Sequence, residues 1–106
     1  MELGTLFTGS KWGIIELLAK EELSPLEIAG RLNTTISNIS LQIRLLETAG
    51  FLKRKKTSNV KAGKPRTLFS LSDDFGFIIV FSRGFAKKKL VRLTKEQKEV
   101  LRKWIK

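Results

Sequence analysis

Cysteine and histidine are both absent from the 106 residues, and their absence excludes several kinds of chemistry. Without them the chain has no disulfide, no thiolate nucleophile, no imidazole base and no ordinary zinc site, and a carboxylate site for a hard ion is the alternative left open. One methionine beside 21 Lys and Arg residues also fits the avoidance of labile side chains in thermophilic, for example archaeal, proteins. Because cysteine and histidine are absent, we expect a protein without a metal or a cofactor.

Long apolar runs are missing as well. No stretch reaches the length of a membrane span, and the first residues lack the basic and then apolar pattern of a secretory signal. We expect a cytoplasmic protein with no membrane partner. The remaining candidates for catalysis are Asp73 and Asp74, but neighbouring side chains on an extended segment point to opposite faces and do not easily share an ion. An enzyme is therefore not expected.

Acidic residues are few, and the positive charge is unevenly distributed. The 10 acidic residues leave a net charge of +11, which favours a polyanionic partner, although a membrane surface or solubility alone would also explain it. Residues 1–50 carry four basic and six acidic side chains, whereas residues 51–72 carry seven basic ones and no acidic one. The basic character thus begins in one defined segment.

Two helices are predicted before residue 33. Residues 10–20 place apolar side chains on one helical face, with the Ser10 hydroxyl as the expected N-cap. Residues 24–32 begin with Ser24 and Glu27, a capping box, and Pro25 occupies the first helical position. The predicted buried side of this second helix consists of Leu26, Ile28, Ala29 and Leu32. Asn33 and Thr34 then end it, so a third helix must follow closely.

The third helix is expected to run from Thr35, its N-cap, to Ala49, with Gly50 in the left-handed conformation that ends it. Its predicted core stripe comprises Ile39, Ile43, Leu45, Leu46 and Ala49. The opposite face carries short or hydrogen-bonding side chains near the N-terminus, and such a surface can approach base edges closely.

After Gly50 the pattern becomes extended. Residues 51–56 and 66–72 predict the two arms of a β-hairpin, with Leu52, Leu68 and Leu71 facing the core. The basic side chains of this segment are expected to follow a sugar-phosphate backbone: Lys53, Arg54, Lys55, Lys56, Lys61, Lys64 and Arg66. A solvated loop is the alternative interpretation.

A helix-turn-helix followed by a basic wing predicts binding to double-stranded DNA. The stretches Leu26–Ala29, Leu32–Ser40 and Leu45–Leu52, with the wing sequence Gly63–Arg66, resemble ArsR-like and MarR-like prokaryotic winged-helix transcription regulators over about residues 6–72. The resemblance implies that residues 36–48 form the recognition helix in the major groove. Many such regulators sense metals through Cys and His, so this chain is expected to belong to the non-metal-sensing ones.

The resemblance also implies roles for individual residues of the recognition helix. Ile36, Ser37, Ser40 and Leu41 would lie near the bases, and Arg44 would lie near the DNA backbone. Thr35 and Asn38, at the front of the same helix, complete the predicted DNA-binding set.

The last third predicts a second hairpin and a terminal helix. Residues 75–82 are aromatic and β-branched and are expected to pair with residues 87–93, although a helix remains an alternative for so short an apolar run. Thr94 and Gln97 repeat the capping-box pattern before an amphipathic helix. Winged-helix regulators of this resemblance commonly form homodimers through terminal helices. The candidate interface comprises Phe75, Phe77, Phe81, Leu101, Trp104 and Ile105, and the alternative for the Phe residues is the monomer core.

The predicted fold is therefore α+β: a winged helix-turn-helix with a three-helix core and a β-wing in residues 1–72, followed by a C-terminal hairpin and helix, residues 73–106, packed on the same domain. Lys87, Lys88 and Lys89 are candidates for extra phosphate contacts, or simply a solvated hairpin. The leading functional prediction is a DNA-binding transcription regulator. The alternative is an architectural, chromatin-type DNA-binding protein of low sequence specificity, because Arg44 is the sole charged reader at the front of the helix.

Overall fold

The computed structural model describes residues 1–59 and 64–105, with side chains for residues 1–57 and 65–105. Two compact units divide the chain, Met1–Ser72 and Asp73–Lys106, and each is described by itself. The elements in chain order are α1 (Leu3–Leu6), α2 (Lys11–Leu18), α3 (Pro25–Arg31), α4 (Ile36–Thr48), β1 (Leu52–Asn59), β2 (Lys64–Leu71), β3 (Phe75–Ser82), β4 (Phe85–Arg92) and α5 (Lys95–Trp104).

The predicted α+β fold is confirmed. Helices α2, α3 and α4 surround a small apolar core in the first unit, and the β1–β2 hairpin closes it with Phe51, Leu52 and Phe69. The largest fully buried side chains are Ile14, Leu23, Ile28, Ile39 and Leu46. The short helix α1 was not predicted, because four residues are too few to show a helical period.

The wing is an antiparallel hairpin in which Leu52 pairs with Leu71 and Arg54 pairs with Phe69. On its other edge β2 forms an isolated bridge with Leu23, through Phe69 N–H to Leu23 O at 2.8 Å and Leu23 N–H to Phe69 O at 3.2 Å. The bridge ties the wing to the segment before α3. The predicted connection between the arms includes residues 60–63, which lie outside the described part of the chain.

Four expectations about helix faces and caps are wrong. Leu26 is 69% exposed and Leu45 is 42% exposed, because each stands two residues from a buried isoleucine, which is about 200° around a helix. Ala49, at the C-cap of α4, is exposed too. The Ser10 hydroxyl makes no capping hydrogen bond to α2; it accepts one from the Asn38 side-chain amide at 3.1 Å.

The core-facing side of β2 is also corrected. Phe69 is buried and Leu68 only half-buried, since the pairing places Phe69 on the same face as Leu52 and Leu71, and Leu68 on the opposite face with Lys55. Leu68 and Phe69 differ by one position, and the period of two moves a side chain to the other face of the sheet.

In the second unit the predicted hairpin is present, with β3 pairing over Phe75–Ser82, and β4 begins two residues and ends one residue earlier than predicted. The reversal at Arg83 and Gly84 uses the left-handed φ of Gly84, +106°. Helix α5 begins with the predicted capping box, in which Thr94 N–H donates to Gln97 Oε1 at 2.8 Å and Gln97 N–H donates to Thr94 Oγ1 at 3.1 Å. Residue 76 is a glycine where the Leu93 side chain lies close against the strand.

Candidate nucleic-acid interface

The turn between α3 and α4 sets the direction of α4, the predicted recognition helix. Ser24 and Glu27 form a complete capping box at the start of α3, with distances of 3.1 and 3.3 Å. After Arg31 the chain reverses through Asn33, whose φ of +53° is a conformation that asparagine tolerates better than most residues. The Thr35 hydroxyl then accepts a hydrogen bond from Asn38 N–H at 3.1 Å and begins α4.

Helix α4 has one buried and one exposed face. Ile39, Ile43 and Leu46 point into the core, together with Gln42. The exposed face carries residues predicted to read DNA: Ile36, Ser37, Ser40, Leu41 and Arg44. The short Ser37 and Ser40 side chains leave the helix backbone accessible, as a close approach to base edges requires.

Two of the predicted reader residues have structural partners. Asn38 is half-buried and donates from its amide to Ser10 Oγ and to Thr34 Oγ1, both at 3.1 Å, while its Oδ1 accepts from Gln42 Nε2 at 3.3 Å. The Thr35 hydroxyl is occupied as the N-cap acceptor. These side chains hold the front of α4 in place. This polar network was not foreseen from the sequence.

A cleft of about 330 Å³ separates the exposed face of α4 from the wing. Arg54 and Phe69 form its wing side, and Ser37, Ser40 and Arg44 belong to its helix side. Both predicted surfaces, the reading helix and the basic hairpin, therefore line the same depression.

Arg54 links the wing to the end of α4. Its guanidinium donates to both Glu47 carboxylate oxygens, with Nε to Oε2 at 2.7 Å and NH2 to Oε1 at 2.6 Å, and it lies 5.4 Å from the centre of the Phe69 ring. This hydrogen-bonded pair lowers the pKa of the Glu47 carboxyl and raises the pKa of Arg54. A bidentate pair of this kind restricts the angle of the wing.

Arg66 has an analogous partner at the start of α3. Its guanidinium forms an ion pair with the Glu27 carboxylate. The Ser24 backbone N–H, which donates to the same carboxylate, is the main cause of the lowered pKa of Glu27, and Arg66 adds to the effect. Glu27 and Glu47 were not predicted as wing contacts, since pairing across the fold leaves no spacing signal in the sequence.

The lysines of the wing have a different environment. Lys53, Lys55 and Lys56 are exposed and make no ion pair within the described part of the chain. Lys61 lies outside the described residues, and so does the side chain of Lys64. The described basic side chains of the wing are thus of two kinds: two arginines paired with carboxylates, and three exposed lysines.

The family described as "winged helix DNA-binding domain" matches residues 13–74, which is more than half of the chain and runs from within α2 to just beyond the wing. The chain belongs to this winged-helix family. No curated protein matches it. The winged-helix domain binds DNA, and the exposed helix face, the cleft and the wing lysines are its candidate contact surface.

The second unit adds further basic residues to the winged-helix protein. Lys87, Lys88 and Lys89 are exposed on β4. The two aspartates that precede β3 each have a cationic neighbour, with Asp73 Oδ2 3.6 Å from Arg92 Nε and Asp74 Oδ2 3.3 Å from Lys98 Nζ. Across the described ranges, no helix combines the length and the apolar character needed to span a bilayer.

Proposed function

We propose that this winged-helix protein is a transcription regulator of the ArsR-like and MarR-like type that inserts α4 into the major groove of duplex DNA. The observation that carries the proposal is the exposed front of α4, where Ser37, Ser40, Leu41 and Arg44 stand beside the cleft that separates the helix from the wing. Short side chains and one guanidinium at a helix front suit direct contact with base edges.

The wing supplies affinity in this proposal. Lys53, Lys55 and Lys56 follow the phosphate backbone, together with Lys61 and Lys64. Each phosphate contact releases condensed counterions, so binding is expected to weaken steeply as salt is added. Arg54 and Arg66 belong to the same basic segment, but their carboxylate partners favour a role in holding the wing.

The proposal includes a homodimer. Two copies related by a two-fold axis present two recognition helices to successive turns of the duplex, about 34 Å apart, and a palindromic site follows from this symmetry. Candidate interface residues lie in the second unit, where Phe81, Trp104 and Ile105 are among the exposed apolar side chains. Sedimentation at micromolar concentration tests the dimer, and a monomer there would contradict it.

Lys87, Lys88 and Lys89 are proposed as additional phosphate contacts. All three are exposed, and a group of like charges on one strand is well suited to a polyanion. Replacing all three with glutamine is expected to weaken DNA binding and to flatten its salt dependence. An unchanged dependence of binding on salt would show that these three lysines make no phosphate contact.

A second candidate function, architectural DNA binding with little sequence preference, is favoured by one observation. Arg44 is the sole basic side chain on helix α4, so base discrimination by charged groups is limited. Selection of bound duplexes from a random pool, followed by footprinting, separates the two functions. A regulator is expected to prefer its site by about a thousandfold or more over random DNA at stated salt, and an architectural protein by far less.

A further inference from the structure

The second unit lacks a buried core of its own. No described side chain between residues 73 and 105 is buried, and nine of the sixteen exposed large apolar side chains in the described chain lie in this range. A lone two-stranded hairpin is marginally stable in water, and further strands or packing against a helix are normally needed. Helix α5 packs on one face of this hairpin, but many of the apolar side chains of the unit remain exposed. The exposed apolar side chains of this unit therefore favour burial against a further surface.

The two edges of the hairpin differ sharply in charge. Strand β3 has the sequence FGFIIVFS, without a charged residue over its eight positions, and it pairs only with β4 in the described structure. Strand β4, FAKKKLVR, carries four cationic residues, Lys87, Lys88, Lys89 and Arg92. Lysines on an edge strand are a common device against pairing with another chain. The edge of β4 is protected in this way, whereas the edge of β3 carries no charged residue.

We infer that β3 pairs with β3 of a second copy of this chain, antiparallel and about a two-fold axis, to form a continuous four-stranded sheet. The inference rests on the proposed homodimer and names the surface that forms it. Ile79, which is 54% exposed at the middle of β3, lies at or next to the axis.

The positions of the lysines favour pairing of two copies through β3 over pairing through β4. Pairing through β4 would place the lysine runs of both copies on neighbouring strands, about 5 Å apart. Pairing through β3 leaves two strands between them, so the runs stand about 14 Å apart, beyond the Debye length of about 8 Å at physiological salt. The repulsion is then largely screened, and the partner strand that fits β3 is uncharged, as β3 itself is.

The two-fold symmetry determines on which side of the four-stranded sheet each α5 helix lies. Ile78 and Val91 share a cavity lining with Val100 and Leu101, so α5 covers the face of the hairpin that carries the even-numbered residues of β3. Residues directly opposite in an antiparallel pair share a face. A two-fold axis between two identical antiparallel strands pairs odd with odd and even with even positions, so both α5 helices lie on one side of the four-stranded sheet and aromatic and aliphatic side chains stand opposite each other.

The matched variants Ile79→Lys and Phe85→Lys test the inference in the full-length chain. Both residues are 54% exposed, and both changes replace an apolar side chain by lysine, but one lies on β3 and the other on β4. Two ammonium groups facing each other at the axis are expected to raise the dimer dissociation constant by about a hundredfold or more. Sedimentation equilibrium should show Phe85→Lys as a dimer, like the unaltered chain, and Ile79→Lys as a 12.0 kDa monomer.

A cross-linking experiment gives a second measurement that does not depend on charge. The chain has no cysteine, so Ile79→Cys and Phe85→Cys each carry a single thiol. Mild oxidation is expected to join two copies through residue 79, since opposite residues near the axis lie within disulfide reach, and not through residue 85. Circular dichroism of both variants checks that the hairpin remains folded.

The outcomes separate this inference from the proposed function. Dimers that persist in Ile79→Lys and fail to cross-link through residue 79 would overturn pairing through β3 and leave the homodimer in place. An unaltered chain that sediments as a monomer would remove both the homodimer and this interface. DNA binding by the wing and α4 is measured independently in either case.

Discussion

The Arg54 guanidinium and the Glu47 carboxylate join the wing to the last turn of α4 by two hydrogen bonds, at 2.7 and 2.6 Å. The pair spans the turn at Gly50, and Phe69 lies against the guanidinium on the wing side. A basic residue whose charge is already matched by a carboxylate releases few counterions when DNA binds. Arg54 is therefore expected to position the wing, while the neighbouring lysines contact phosphates.

The first prediction concerns the salt dependence of DNA binding. Lys55→Ala is expected to lower the slope of log K against log salt by about 0.9, because one phosphate contact is lost. Arg54→Ala is expected to weaken binding at every salt concentration while leaving that slope unchanged, since it loosens the wing without removing a phosphate contact. Fluorescence anisotropy with labelled duplex across a salt series measures both quantities.

The exchange variant, Glu47→Arg with Arg54→Glu, serves as the control. It restores an ion pair with reversed direction and should recover part of the affinity lost in Arg54→Ala. If Arg54→Ala reduces the salt slope as much as Lys55→Ala does, Arg54 contacts phosphate and the positioning role is wrong.

The second prediction concerns the front of the recognition helix. Ser37→Glu is expected to reduce duplex DNA affinity by a hundredfold or more, roughly the effect of several kcal/mol, because it puts a negative charge and bulk where base edges approach. Folding stability should stay the same or rise slightly, since a carboxylate in the first turn interacts favourably with the helix dipole. Urea unfolding and anisotropy together give the two readouts.

Thr48→Glu is the control for this helix variant. Thr48 is also exposed but lies at the other end of α4 and does not line the cleft; the nearest lining residue of the helix is Arg44, one turn away. Its DNA affinity is expected to fall far less than that of Ser37→Glu. Equal losses in both variants would show that added negative charge anywhere on the helix weakens binding, and the proposed reading surface would lose its support.

Local signals in the sequence predicted the elements of this fold well. Each capping box, at Ser24 and at Thr94, involves two residues three positions apart, and the helix stop is the single residue Gly50. Such local signals are visible in a single sequence. Long-range partners were missed. The Glu27–Arg66 pair and the bridge from Leu23 to Phe69 join segments 39 and 46 positions apart, and only packing brings them together.

The errors in helix faces have the same origin. Leu26 and Leu45 are apolar and close to buried residues in the chain, so periodicity alone placed them in the core. A helix in so small a unit buries only a narrow stripe of side chains. The Ser10 hydroxyl does not cap its own helix because it accepts a hydrogen bond from Asn38 on another helix. The exposed residues at the front of α4 were predictable, whereas the hydrogen bonds that anchor this front were not.

The third prediction uses two glycines with open surroundings. An added Cβ meets nothing within 4 Å at either Gly30 or Gly50, but Gly50 has a φ of +89° and Gly30 lies inside α3. Gly50→Ala is expected to destabilise the protein by about 1 kcal/mol or more, because alanine is strained at positive φ. Gly30→Ala should stabilise it by up to about 1 kcal/mol through helix propensity.

Urea unfolding of the two alanine variants measures these changes as opposite shifts of the transition midpoint. The pair is self-controlling, because the chemical change is the same and neither site has a steric obstacle. Shifts of equal sign would contradict the assignment of Gly50 as the left-handed residue that ends the recognition helix.

The fourth prediction concerns pH. In the folded protein the pKa values of Glu27 and Glu47 lie below the ordinary 4.5, held down by the Ser24 backbone N–H and by Arg54 respectively. The unfolded chain therefore takes up protons first on acidification, and the stabilisation that is fully present above about pH 4.5 is lost as pH falls through the lower folded values. Urea unfolding between about pH 7 and pH 3 should show this loss, and the double variant Glu27→Gln, Glu47→Gln should show a shallower decline. An equally steep decline in that variant would assign the acid sensitivity to other carboxyl groups.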